Sequence, residues 1–189
     1  PGRFKIVAML DPDDSDKLGT LSNLAEFGAA GIRLSPDDRI LGDDPLAVWK
    51  RAGELGMVVS CQGDLSQFAA SEFAELVEGC SETKIVIEHL GGVGIGLAPP
   101  YERFLAVLAL SRHANAFIKV PGLGEFVRRP PRLAPQFRFE CIPPFIDMAR
   151  DAFGVHRMMW GSDFPPSAGR EGYRNTLEGV RTNPAWINS

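Results

Sequence analysis

With 189 residues, 44% hydrophobic and 23% charged, the chain has the length for one good core and too little for two comfortable domains. Twenty basic against 24 acidic residues leave a net charge of −4, and neither sign forms a run long enough for a nucleic-acid or membrane surface. Cys61, Cys80 and Cys141 are odd in number, far apart and without metal-ligand spacing, no apolar run approaches the ~20 residues of a membrane span, and no signal peptide opens the sequence, so free thiols and a cytoplasmic address are expected.

In chain order, residues 3–10 read as a strand ended by the turn-rich Asp11-Pro12-Asp13-Asp14. A helix is expected over 15–27, with Leu18, Leu21, Leu24 and Ala25 on one face, followed by a second strand over 30–35. Asp44 as N-cap and Pro45 at the first helical position open a helix whose Leu46, Trp49, Ala52 and Leu55 face the core before Gly56 closes it. A third strand is expected over 57–62. A helix capped by Ser71 carries Phe73, Leu76 and Val77, and a fourth strand runs over 84–89. Residues 100–113 read as helix with Phe104, Leu105 and Leu108 inward, and 116–120 as the fifth strand. A Pro- and Arg-rich excursion over 122–140 holds the one basic cluster, Arg128, Arg129 and Arg132, broken by Pro130 and Pro131 and read as a solvated loop. A helix over 144–153 stops at Gly154. The sixth strand leads to Trp160-Gly161-Ser162-Asp163, and a last helix is expected over 170–181.

From Phe4 through Ile32, Val58, Ile85 and Phe117 to Met158, strands recur every 26 to 41 residues, each step holding one helix. That is the rhythm of parallel βα units. Six such units could form an open doubly wound sheet, or six of the eight units of a barrel.

The strand ends are polar: Arg33, Gln62, His89, Lys119 and Asp163. Catalytic groups gather at the C-terminal ends of barrel strands, so Asp163 reads either as a catalytic carboxylate or as a cap on the next turn. By alternation His89 shares its side with Ile87 and Ile85, and Asp163 with Gly161 and Met159. His89 can act as a base, a proton shuttle or a metal ligand, or be satisfied by a neighbouring carbonyl. Arg33 and Lys119 are lone cations on apolar strands, a costly arrangement unless each meets a carboxylate or an anionic ligand. His113 and His156 read as structural or exposed. The glycines over 91–96 lack the spacing of a dinucleotide fingerprint and read as a mobile lid or a close backbone approach.

Four segments in order, Gly31-Ile32-Arg33-Leu34, Ile85-Val86-Ile87-Glu88-His89-Leu90-Gly91-Gly92, Ile118-Lys119-Val120-Pro121-Gly122-Leu123 and Met159-Trp160-Gly161-Ser162-Asp163-Phe164-Pro165, resemble the amidohydrolase-related proteins that include dicarboxylate lactonases and aminocarboxymuconate-semialdehyde decarboxylase. The resemblance implies a distorted TIM (β/α)8 barrel, with Asp163 as the catalytic Asp at the end of strand eight, His89 as the strand-six histidine and Arg33 as a clamp for a substrate carboxylate. It implies a divalent metal such as zinc in many members. The His-x-His pair that opens such members is absent from this sequence, and Gln62 stands where metal-binding members place a histidine. Counted back from Asp163, the first strand here is the family's third, so a single barrel domain of about six βα units over residues 1–189, with two upstream units lacking, is expected.

The resulting expectation is a hydrolase that directs water at a small lactone or related carboxylate-bearing carbonyl compound. In it Asp163 is the general base, His89 a proton shuttle or carbonyl polariser, and Arg33, Lys119 and Gln62 bind substrate. The alternatives are a metal-dependent decarboxylase of the same family and a catalytically silent scaffold. The expected partner is a small molecule, with no nucleic acid and no membrane; the edge strand near Phe4 needs a cover, from another segment or from a second copy in a homo-oligomer.

Overall fold

The apolar runs form one six-stranded parallel sheet in the computed structural model, which describes residues 4–187. Its strands are β1 (Val7–Met9), β2 (Gly31–Leu34), β3 (Val58–Cys61), β4 (Ile85–Ile87), β5 (Ala116–Val120) and β6 (Met158–Trp160). Every pairing is parallel, and the strands neighbour one another in chain order from β1 to β6. A doubly wound sheet reverses its order at a switch point; an unbroken order with a helix after each strand is the winding of a barrel. The sheet is therefore six consecutive units of distorted (β/α)8 architecture.

The two faces of the sheet differ in kind. Ile32, Val59, Cys61, Ile85, Ile87, Ile118 and Val120 are fully buried against the helices Lys17–Glu26, Ala47–Glu54, Ser71–Gly79, Glu102–Leu108 and Phe145–Phe153. A fully buried aliphatic side chain contributes about 1.5–3 kcal/mol, so this face holds the fold together. On the opposite face the register sets Met9 beside Arg33, Arg33 beside Ser60, Ser60 beside Val86, and Lys119 beside Met159. That is the inner face of the barrel wall, and it carries the polar groups. Among the described residues β1 pairs with β2 alone, and Phe4, Ile6 and Met9 are exposed around it.

Several boundaries move from those read in the sequence. β1 is shorter than 3–10, and Arg3 lies outside the described residues. Asp44 does not cap a helix starting at Pro45. Its carboxylate accepts from the Leu46 N–H at 3.0 Å and from Lys50 Nζ at 2.8 Å, and the helix begins at Ala47 after one turn. Ala70, not Ser71, holds the N-cap position of the next helix. The helix expected over 100–113 is α only over Glu102–Leu108, and Leu105 faces solvent. The helix expected over 170–181 begins only at Tyr173, after Gly172 with φ 85°, and Arg170 instead ends a separate short helix, Pro166–Arg170, that the sequence reading lacks. A short helix, Leu65–Phe68, went unforeseen although Asp64 and Gln67 form its capping box. No helix among the described residues is long and apolar enough to cross a membrane.

Candidate active site at the strand ends

The site begins where β4 stops. Glu88 is still extended (φ −73°, ψ 151°) and, by alternation, turns its side chain to the inner face with Val86. The next four residues, His89, Leu90, Gly91 and Gly92, all have positive φ, from 52° to 79°. Left-handed backbone costs a residue with a Cβ roughly 1–2 kcal/mol, and burial of Leu90 holds it there. Gly92 packs so closely on the start of the helix Leu65–Phe68 that a Cβ would sit 2.8 Å from the Leu65 nitrogen. A Cβ on Gly91 would likewise fall 2.6 Å from Val107 Cγ1, so both glycines sit at close approaches.

This turn corrects the strand-alternation argument for His89. Ile85 and Ile87 face the helices and are fully buried, so a histidine on their side would point away from the cleft. The left-handed turn redirects it instead. Glu88 and His89, adjacent in sequence, both line the cleft, together with Arg33, Lys119, Pro121 and residues 161–164; its volume is about 310 Å³.

Glu88 is 2% exposed, and its Oε1 accepts from Ser60 Oγ and from Lys119 Nζ, while Arg33 Nη2 lies 3.9 Å away. One carboxylate thus faces two cations. Both lone cations of the sequence reading meet a carboxylate, and it is the same one. The group keeps a surplus positive charge, and Arg33, 37% exposed, stands 3.9 Å from Glu88, beyond hydrogen-bond length, so its donors can serve an anion.

At the other end, His89 Nδ1 lies 2.5 Å from Glu125 Oε1. Glu125 ends the 3-10 turn Leu123–Glu125 that follows β5. This hydrogen bond raises the pKa of His89 above the usual imidazole value; burial opposes it, and the charges of Glu125, Asp163 and Glu88 add to the rise. Asp163, φ 51°, lies just beyond β6, whose pairing continues through the Gly161 N–H to the Val120 carbonyl at 3.0 Å. Polar atoms of His89, Glu125 and Asp163 all lie within 4.8 Å of one another. Arg170 Nη1 stands 3.6 Å from both Glu125 Oε2 and Asp163 Oδ2, and its Nε donates to Glu171 Oε2 at 2.6 Å.

Of the residues expected from sequence, Asp163, His89, Arg33 and Lys119 share the cleft. Gln62 is exposed one residue past β3, its backbone N–H given to the Leu34 carbonyl at 2.9 Å, and it does not line the cleft. His156 is exposed, and His113 Nε2 accepts from Arg112. Glu88, Glu125, Arg170 and Glu171 were missed. Alternation alone would have found Glu88, two residues beyond the inner-facing Val86. Nothing local marks Glu125 or Arg170, which the fold brings in from connecting segments.

His89, Glu125 and Asp163 are the right donors in kind for the divalent metal that the resemblance implies. They do not fit one as arranged. His89 Nδ1 is committed to Glu125, and the Arg170 guanidinium already stands against both carboxylates.

The amidohydrolase family model matches residues 1–182. No curated protein matches the chain. Among solved structures, a zinc-bound amidohydrolase of Burkholderia multivorans aligns with a TM-score of 0.73 and 18% identity over 94% of this chain and 64% of its own. A Pseudomonas putida protein to which 2-pyrone-4,6-dicarboxylic acid hydrolase activity is ascribed aligns at 0.67 and 21% over 96% and 65%. The 5-carboxyvanillate decarboxylase of Sphingomonas paucimobilis aligns at 0.59 and 14% over 96% and 61%. The chain thus spans just under two thirds of the length of these structures and shares their fold. With the family model running over nearly all of a parallel barrel wall, the chain belongs to the amidohydrolase family.

Proposed function

We propose that the chain carries the reacting face of a hydrolase that adds water to a small lactone or related carbonyl compound bearing a carboxylate. The observation that carries this reading is the division of one cleft into two ends. At one end Asp163 and His89, with Glu125 behind His89, form an acid-base cluster; at the other Arg33 and Lys119 exceed Glu88 by one positive charge. A substrate with a carboxylate and a reactive carbonyl a few ångströms apart matches that layout. The hydrolase activity ascribed to the Pseudomonas putida relative in fold is of this class.

In this mechanism the substrate carboxylate rests on Arg33 and Lys119. Asp163 takes a proton from water as the water oxygen attacks the carbonyl carbon. The tetrahedral intermediate collapses by breaking the ring C–O bond, and the departing oxygen takes a proton from His89. His89 suits that role because Glu125 holds its pKa up, so that it keeps its proton closer to neutral pH than a free imidazole does. Asp163 then returns a proton to His89 through solvent. The products are one hydroxy acid and a regenerated site.

The test is a panel of small lactones with and without a ring carboxylate, assayed with a chelator present. Hydrolysis confined to the carboxylated members is the expected result. Carbon dioxide release from an aromatic carboxylic acid, dependent on added zinc or manganese, would assign the site to decarboxylation instead.

A further inference from the structure

Three anionic or basic groups, His89, Glu125 and Asp163, converge beside the cleft, with His89 and Asp163 in its wall. Two carboxylates this close repel each other unless a cation stands between them or one takes up a proton. The cation here belongs to the chain: Arg170 Nη1 lies 3.6 Å from an oxygen of each.

Arg170 is held there from behind. Its Nε gives a 2.6 Å hydrogen bond to Glu171, whose side chain is fully buried and whose Oε1 accepts from Thr176 Oγ1 at 3.0 Å. Glu171 in turn lies flat beneath the loop that carries Glu125. A Cβ on Gly124 would fall 2.5 Å from the Glu171 carboxylate, and one on Gly122 would fall 2.6 Å from its Oε1. The glycines are what let this loop lie on the carboxylate. Burial works against the charge of Arg170, but Glu171, Glu125 and Asp163 more than offset it and raise its pKa. A guanidinium also cannot leave with a change of metal supply, as a bound ion can.

We propose that Arg170 is the resident cation of this site, filling with a guanidinium the place between Glu125 and Asp163 that a divalent metal would otherwise take. Arg170 is a positioning residue: it stands between the two carboxylates and holds them side by side, and Glu171 keeps Arg170 in place. The catalytic consequence rests on the reading of Asp163 as the water-activating base, whereas the exclusion of metal does not.

The experiment is calorimetric titration of zinc into the chelator-stripped full chain, unsubstituted and as Arg170→Met, Arg170→Lys and Arg170→Met/Glu125→Gln. Removing the guanidinium frees two carboxylates beside a histidine, ligands of the kind zinc takes, so Arg170→Met binds one zinc at least tenfold more tightly than the unsubstituted chain, and Glu125→Gln abolishes the gain. Where Arg170→Met does not fold, Arg170→Lys carries the test. It keeps a cation near Glu171, but a single ammonium lacks the fork needed to hold both acids, so zinc affinity rises here too. Zinc bound by the unsubstituted chain as tightly as by the variants, or a gain that survives Glu125→Gln, overturns the proposal. Because the readout is zinc binding, it stands or falls separately from any failure to hydrolyse lactones.

Discussion

Glu88 and His89 are consecutive residues whose side chains serve opposite ends of one cleft, Glu88 bound to Lys119 and Ser60 on the inner sheet face and His89 bound to Glu125 across the mouth. The reversal takes place in a single peptide step, from an extended Glu88 to a left-handed His89. The strain of that step is tolerated because Leu90 behind it is fully buried.

Glu88 is a buried anion shared by two cations, so its loss leaves both without a partner. Glu88→Gln keeps the shape and removes the charge. Since Lys119 and Arg33 are partly exposed and can reach water, the cost falls below that of a fully buried broken pair, at about 1–3 kcal/mol. Urea unfolding measures it, and Glu88→Gln/Lys119→Met should recover part of the loss. A single variant as stable as the unsubstituted chain would show that Glu88 does not anchor these cations.

His89 makes stability depend on pH. Its pKa is raised on folding, chiefly by the hydrogen bond to Glu125, so the folded state holds its proton more tightly than the unfolded one. That contribution is fully present below the unfolded value of about 6.5 and is lost as pH rises through the higher folded value. Melting temperatures across this interval should fall with rising pH, and Glu125→Gln should flatten the slope and bring the NMR titration of His89 down. An unchanged slope in Glu125→Gln would place its source elsewhere.

Gly161 offers a probe of the anion end that spares the core. A Cβ there would lie 2.6 Å from Lys119 Cδ, in the middle of a flexible side chain. Gly161→Ala should therefore push Lys119 off Glu88 at small cost in stability. Removal of binding shared by ground and transition states raises KM and leaves kcat nearly unchanged. For a carboxylated lactone, KM should rise about tenfold; for an uncarboxylated one it should not move. Equal effects on both substrates would separate Lys119 from carboxylate recognition.

The strand order and the strand-end residues were legible because period-two apolar runs and their spacing are local signals. Asp163, His89, Arg33 and Lys119 could each be named from position alone. Their partners could not. Glu125 lies within the segment read as a loop, and Arg170 at a helix end, and only the barrel winding brings them to His89 and Asp163. The orientation of His89 was reached by a wrong argument, because alternation ends where the backbone turns left-handed, and only Gly91 and Gly92 hinted at that turn. Gln62 stands at a strand end by the same pattern as the others, yet it is exposed away from the cleft.

The central claim is that Asp163 activates water. Asp163→Asn in the full chain removes the base while keeping its size, so circular dichroism and the melting curve should be nearly unchanged. Hydrolysis of a carboxylated lactone should fall by roughly two to four orders of magnitude, with substrate binding preserved at Arg33 and Lys119. Turnover retained in that variant would contradict the account, because the other carboxylate among the described residues that line the cleft, Glu88, is already bound to Lys119 and Ser60.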